Sequence, residues 1–109
     1  MENPPLHPLL HLNAPQIGAL CRRYGVLRLD VFGSVLGQDF DPTRSDVDLS
    51  VEFEAALPGS ALLRYFDLKH ELERLLGRPV DLVELSVMPD TRLKRRIARS
   101  QVPLYAAPA

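Results

Sequence analysis

The sequence of 109 residues has no tryptophan, one cysteine, two methionines and only 6% aromatic residues. A lone thiol cannot close an intramolecular disulfide, so no covalent staple holds the chain. No apolar run approaches the ~18 to 20 residues that a membrane span requires. A surplus of positive charge is also missing: 13 Lys and Arg stand against 14 Asp and Glu, a net charge of -1. That balance argues against a generally basic nucleic-acid binder. His7 and His11 sit in a Pro-rich start and His70 reads as an exposed helical residue, so spaced zinc ligands are lacking as well. Met1 to Leu12 carry no basic cluster and no apolar block with a small-residue cleavage site. The expectation is therefore no secretory signal and a reducing cytoplasm.

What remains is an ordinary globular composition, 46% apolar and 25% charged. A chain of this length buries about two-thirds of its unfolded surface, enough for a core without metal or disulfide. Three of the ten prolines fall in the first eight residues and two in the last seven, which predicts irregular ends. The expected organisation is an irregular segment 1–12, one domain over 13–105 and a tail over 106–109.

Asn13, followed by Pro15 and Gln16, reads as the cap of a helix that buries Ile17, Leu20, Cys21 and Tyr24 and stops at Gly25. From Val26 to Phe32, Leu27, Leu29 and Val31 alternate with Arg28, Asp30 and Phe32, the period of a strand. Asp46 to Phe53 alternates strictly, with polar residues at even positions and apolar ones at odd positions. A helix is predicted from an N-cap at Ser60 to a terminating Gly77, then a short strand from Pro79 to Leu85. Asp90 is expected to cap a basic helix over Thr91 to Ser100, and Gln101 to Tyr105 to extend as an edge strand or along the body. The fold class is α+β, a small mixed sheet with helices packed on one side.

Asp46 and Asp48, two apart on a predicted strand, leave one face together. Read alone, Asp-x-Asp is a solvated strand face. A second reading follows from the cost of two adjacent negative charges, which a hard cation such as Mg²⁺ removes, with water and phosphate oxygens completing its shell. Asp81 in the apolar run Val80-Asp81-Leu82-Val83 adds a third carboxylate, or else pairs with Arg78. Three carboxylates can hold two metals ~3.5 to 4 Å apart for in-line phosphoryl or nucleotidyl transfer. Gly33-Ser34 directly after a strand is an ordinary turn or a place where backbone and hydroxyl approach a phosphate closely.

The order of strand, Gly33-Ser34, an eleven-residue connection from Val35 to Ser45, Asp46-x-Asp48, helix and Asp81 resembles the DNA polymerase beta-like nucleotidyltransferase superfamily. VFGSVLGQDFDPTRSDVDLSVEF and GRPVDLVEL are more narrowly similar to the minimal nucleotidyltransferases that act as antitoxins beside HEPN toxins. The resemblance extends from Ile17 to Tyr105. It implies that Gly33 and Ser34 grip the triphosphate of ATP and that Ser45 steadies the loop or touches phosphate. Asp46 and Asp48 would be ligands shared by two Mg²⁺ ions, with Asp81 as the third carboxylate, able to accept the proton of the attacking hydroxyl. The connection is one residue longer than the family's usual spacing, and Leu36-Gly37-Gln38 lacks the arginine that many members carry there; Arg44 is the candidate to replace its charge.

The resemblance further implies a partner toxin whose tyrosine hydroxyl receives AMP. Two alternatives remain at this point. One is a non-catalytic antitoxin that masks the toxin by binding, and the other is nucleotide addition to RNA. The helix over Thr91 to Ser100 carries Arg92, Lys94, Arg95, Arg96 and Arg99, and reads either as a solvated helix end or as a contact for an acidic partner, phosphate or RNA. Cys21, beside Leu20, reads as a small buried hydrophobe.

Overall fold

The computed structural model describes residues 7–33, 45–55 and 57–108. Along the chain run α1 (Pro8–Leu12), α2 (Ala14–Arg23), β1 (Val26–Phe32), β2 (Val47–Phe53), α3 (Ala61–Leu76), β3 (Val80–Val83), a 3₁₀ turn (Leu85–Val87), α4 (Arg92–Ser100) and β4 (Val102–Ala106). The strands form one mixed sheet in the order β3-β2-β1-β4. β1 pairs antiparallel with both β2 and β4, whereas β2 and β3, joined through α3, are parallel.

Alternation sets the faces. Leu29 and Val31 of β1, Val47, Leu49 and Val51 of β2, and Val80 and Leu82 of β3 are buried in one cluster with Leu10, Ile17, Cys21, Leu68, Leu72 and Leu76 from the helices. Leu68, Leu72 and Leu76 recur every four residues on α3, so one stripe of that helix enters the core. Each such fully buried leucine contributes roughly 1.5 to 3 kcal/mol of transfer free energy. At the ends of α3, the Ser60 side chain accepts from the Leu63 N–H and Gly77 adopts a left-handed φ of 68°. A residue with a Cβ would be strained at that cap.

Four expectations are corrected. Of the segment 1–12, residues 7–12 are described, and Pro8–Leu12 is helical rather than irregular. The His7 ring accepts from the Leu9 N–H at 3.0 Å, Pro8 starts the helix, and Leu10 is fully buried. Asn13 does not cap α2 through its side chain, because its amide donates to the Leu9 carbonyl at 2.7 Å and closes α1 instead. Leu27 is exposed and Val26 takes the core position, since a register shift between Val26 and Arg28 inserts an extra residue into β1. Thr91, not Asp90, caps α4 by accepting from the Lys94 N–H, while Asp90 pairs with Arg95 at 3.3 Å. The extended stretch after α4 is an edge strand, and it runs through Ala106 into the expected tail.

Candidate active site

The strand register brings three sequence-predicted residues to one rim of the sheet. Phe32, the last residue of β1, is opposite Asp48, and Asp48 is opposite Asp81 across the parallel β2–β3 pair. Asp46 lies just before β2, two residues from Asp48. Asp48 is half-buried, while Asp46 and Asp81 are exposed.

Burial pushes the Asp48 carboxyl above the ordinary carboxylate range, and the negative charges of Asp81 and then Asp46 push it the same way. Asp48 thus feels the charges of both other carboxylates. Among the described residues no three His, Cys, Asp or Glu side chains gather tightly enough to hold an ion by themselves. That arrangement still suits Mg²⁺, which usually takes one or two carboxylates and fills its octahedron with water and phosphate oxygens. The donors are hard oxygens, and a divalent cation beside Asp48 would relieve the repulsion that its neighbours impose.

Gly33 follows β1 with a φ of 78°. A Cβ at this position would collide with the Asp48 carboxylate, and the Asp48 Cγ would lie only 3.0 Å away. Both the left-handed backbone and the close approach therefore demand glycine. The turn after β1 is pressed against the most strongly perturbed carboxylate of the site.

The entry to β2 is tied to the residues just before β3. The Arg78 guanidinium donates to the Ser45 carbonyl at 3.2 Å, and the Val47 N–H donates to the Pro79 carbonyl at 3.1 Å. Ser45 thus stands at the site through its backbone. Ser34 and Arg44, also expected at the site, lie outside the described residues. Helix α3 fixes the entry to β3 in turn. Glu73 accepts from the Val80 N–H at 3.0 Å and pairs with Lys69 at 3.3 Å. The first of these bonds, with help from Lys69, holds the Glu73 carboxyl below its usual range. Tyr65 donates to the Leu82 carbonyl from the same helix, and burial raises its phenol, with Asp81 and Glu84 adding to the rise against Lys69.

Sequence reading missed Glu73 and Tyr65, and considered Arg78 only as a partner of Asp81. Lys69 and Glu73 at i,i+4 are a visible helix pair, but nothing local announces that Glu73 also takes an N–H seven residues ahead. Cys21 is fully buried and its thiol is pushed up to about 12 by that burial, so it is inert, as its apolar setting suggested. No described helix is long and apolar enough to cross a membrane.

Known proteins resemble this chain in sequence and in fold. The sequence profile of the family described as "Nucleotidyltransferase domain" matches residues 16–103. A Methanocaldococcus jannaschii protein, provisionally named a protein adenylyltransferase, is 40% identical over 81 residues, which cover 73% of this chain and 81% of that one. The protein adenylyltransferase MntA of Thermococcus cleftensis is 44% identical over 64 residues, covering 59% of this chain and 61% of its own. The solved structure of a provisionally named minimal nucleotidyltransferase superposes with a TM-score of 0.69 at 38% identity, covering 86% of this chain and 91% of that chain. A structure of a tri-AMPylated HEPN toxin of Shewanella oneidensis with its MNT antitoxin has a TM-score of 0.62 at 24% identity, covers 90% of this chain and 73% of that one, and is alike in fold.

Proposed function

The chain belongs to the nucleotidyltransferase domain family, and on that footing we propose that it transfers AMP from ATP to a hydroxyl, that of a tyrosine, on a partner HEPN-type toxin and so serves as the antitoxin. The observation that carries this reading is the setting of Asp48, half-buried between Asp81 and Asp46 with Gly33 packed against it. The names of the adenylyltransferase relatives and the AMPylated toxin held by the Shewanella antitoxin supply the acceptor.

In this reading Asp46, Asp48 and Asp81 would be the residues that hold Mg²⁺. The bound ions would stabilise the attacking oxygen and the negative charge of the departing pyrophosphate. Gly33 lets the backbone come close to the triphosphate, beside Ser34. Arg44 directly precedes Ser45 in the sequence, and the Arg78 guanidinium holds the Ser45 carbonyl next to Asp46. The acceptor hydroxyl oxygen forms a bond to the α-phosphorus as the bond from that phosphorus to the bridging oxygen breaks. Pyrophosphate leaves, and the hydroxyl proton passes to the Asp81 carboxylate. Catalysis is chiefly positioning and charge neutralisation. ATP as donor and a buried, unreactive thiol both suit a cytoplasmic setting.

The test is incubation with labelled ATP, Mg²⁺ and the partner toxin, followed by the mass of the toxin. A gain of one or more AMP units, lost with Asp46→Ala and with Asp48→Ala, is the expected result. Neutralisation of the toxin without any mass gain would replace catalysis by binding, and labelling of RNA instead of protein would replace the acceptor.

A further inference from the structure

Beside Gly33, whose Cα is packed against the Asp48 carboxylate, lies an open cleft of about 380 Å³ between the end of β1 and helix α4. Phe32, Gly33 and Ile97 form part of its wall, and Arg96 and Arg99 line it with positive charge. We propose that Arg96 and Arg99 are a cationic subsite for the β- and γ-phosphates of the nucleoside triphosphate and for the pyrophosphate that leaves. The inference rests on the nucleotidyl-transfer reading and assigns the polyphosphate end, which that reading leaves to Gly33 and its neighbours.

Three observations single out these two arginines from the five cations of α4. Lys94 donates to the Met88 carbonyl at 3.3 Å and Arg95 pairs with Asp90, so both are engaged elsewhere. Arg92 does not line the cleft. Arg96 and Arg99 are exposed, their guanidinium groups make no hydrogen bond or ion pair among the described residues, and they stand three apart on the helix, hence on neighbouring positions of one face.

Their helix is held in place. Ile97 is buried between them in sequence, and at the end of α4 the Ser50 hydroxyl of β2 donates to the Gln101 side chain at 2.7 Å. A held helix fixes the backbone positions from which the two side chains reach the cleft, and the planar fork of Arg matches phosphate oxygens. Gly33 therefore adjoins both the Asp48 carboxylate and the cleft lined by Arg96 and Arg99. A metal-bound nucleoside triphosphate has the complementary pattern, with cations beside the reacting phosphate and surplus negative charge on its tail. Leu36-Gly37-Gln38, directly after the glycine turn, offers no cation for that tail.

The test is a calorimetric titration of the whole chain with MgATP, with magnesium pyrophosphate and with AMP, using wild type, Arg96→Ala, Arg99→Ala, the double alanine variant and the double lysine variant. Each single change is expected to weaken ATP and pyrophosphate about tenfold, the loss of roughly one charge-assisted contact. AMP, which lacks the tail, should change less than about twofold, and the double lysine variant should recover part of the loss. Both side chains are exposed, so unchanged circular dichroism is expected and checks the fold. If wild type binds ATP and loses transfer with Asp48→Asn, but the double alanine variant binds ATP like wild type, this subsite is wrong and the wider reading stands. If wild type binds no ATP, both fall. Loss of binding to an RNA homopolymer or to the toxin with ATP affinity intact would reassign the arginines to a macromolecular contact and overturn the proposal.

Discussion

Asp48 stands directly beside Asp81 across the parallel pair of β2 and β3, and the Asp81 charge adds to burial in raising the cost of ionising Asp48. Neutral packing would have been easier to fold around. A half-buried carboxylate next to two others is destabilising, and a bound cation would relieve that repulsion.

Asp48→Asn should therefore separate stability from activity. The Asp48 carboxyl is raised in the fold, so its ionised form costs stability at neutral pH, and a neutral isostere of similar volume removes that cost. The expected result is a higher Tm in the presence of a chelator, with AMP transfer reduced by about 100-fold or more. Added Mg²⁺ should raise the Tm of wild type and leave that of the variant nearly unchanged. Thermal melts with and without Mg²⁺ check all of this, and a lower Tm for the variant in chelator would contradict it.

Gly33→Ala meets two obstacles at once, a left-handed φ of 78° and a carboxylate where its methyl would go. A cost of about 1 to 3 kcal/mol is expected from the backbone alone. Because relief requires Asp48 to move, transfer should fall by more than the stability loss explains. Urea denaturation paired with the labelling assay measures both.

Glu73→Gln probes the tether of β3 through pH. The carboxyl is held low by the Val80 N–H and by Lys69, so its contribution is fully present above the unfolded carboxylate range and disappears as pH falls through the lower folded value. The variant should be less stable than wild type by about 1 kcal/mol near pH 7. The two should converge in acid. Melts at several pH values test this, and a gap that widens on acidification would reverse the assignment.

Leu10→Ala examines the short first helix. Leu10 is fully buried in the main core, and its truncation should cost about 2 to 4 kcal/mol despite its position near the start of the chain. A change below about 0.5 kcal/mol in denaturation would show that α1 is not part of the cooperative unit.

The parts of the fold that were legible in the sequence are those whose signals are local and repeated. Val47, Leu49 and Val51 alternate without interruption, and the long helix carries both its start signal, Ser60, and its stop signal, Gly77. That same alternation put Asp46 and Asp48 on one face, and the strand around Asp81 was short but apolar enough to find. What escaped depends on partners distant in sequence or on single extra residues. The insertion at Leu27 breaks an otherwise regular pattern, and only the register against Phe53 and Glu52 reveals it. Leu10 looked like part of a Pro-rich lead because its burial comes from packing on the folded body. Asn13 has the right residue type for a cap, yet its side chain turns back to Leu9. The tie from Arg78 to the Ser45 carbonyl links backbone to a side chain 33 residues away, and no spacing rule points to it.

The sheet order has a consequence for how the protein is made. β1 lies inside the sheet, but one of its two neighbours is the last strand, with Arg28 opposite Ala106. During synthesis β1 can pair with β2 early, and its other flank stays open until residues 102–106 have left the ribosome. The carboxylate rim, built from β1, β2 and β3, precedes the strand that seals the sheet. An exposed flank of this kind is a template for pairing with another chain, so nascent protein is most vulnerable to aggregation in the interval before β4 docks.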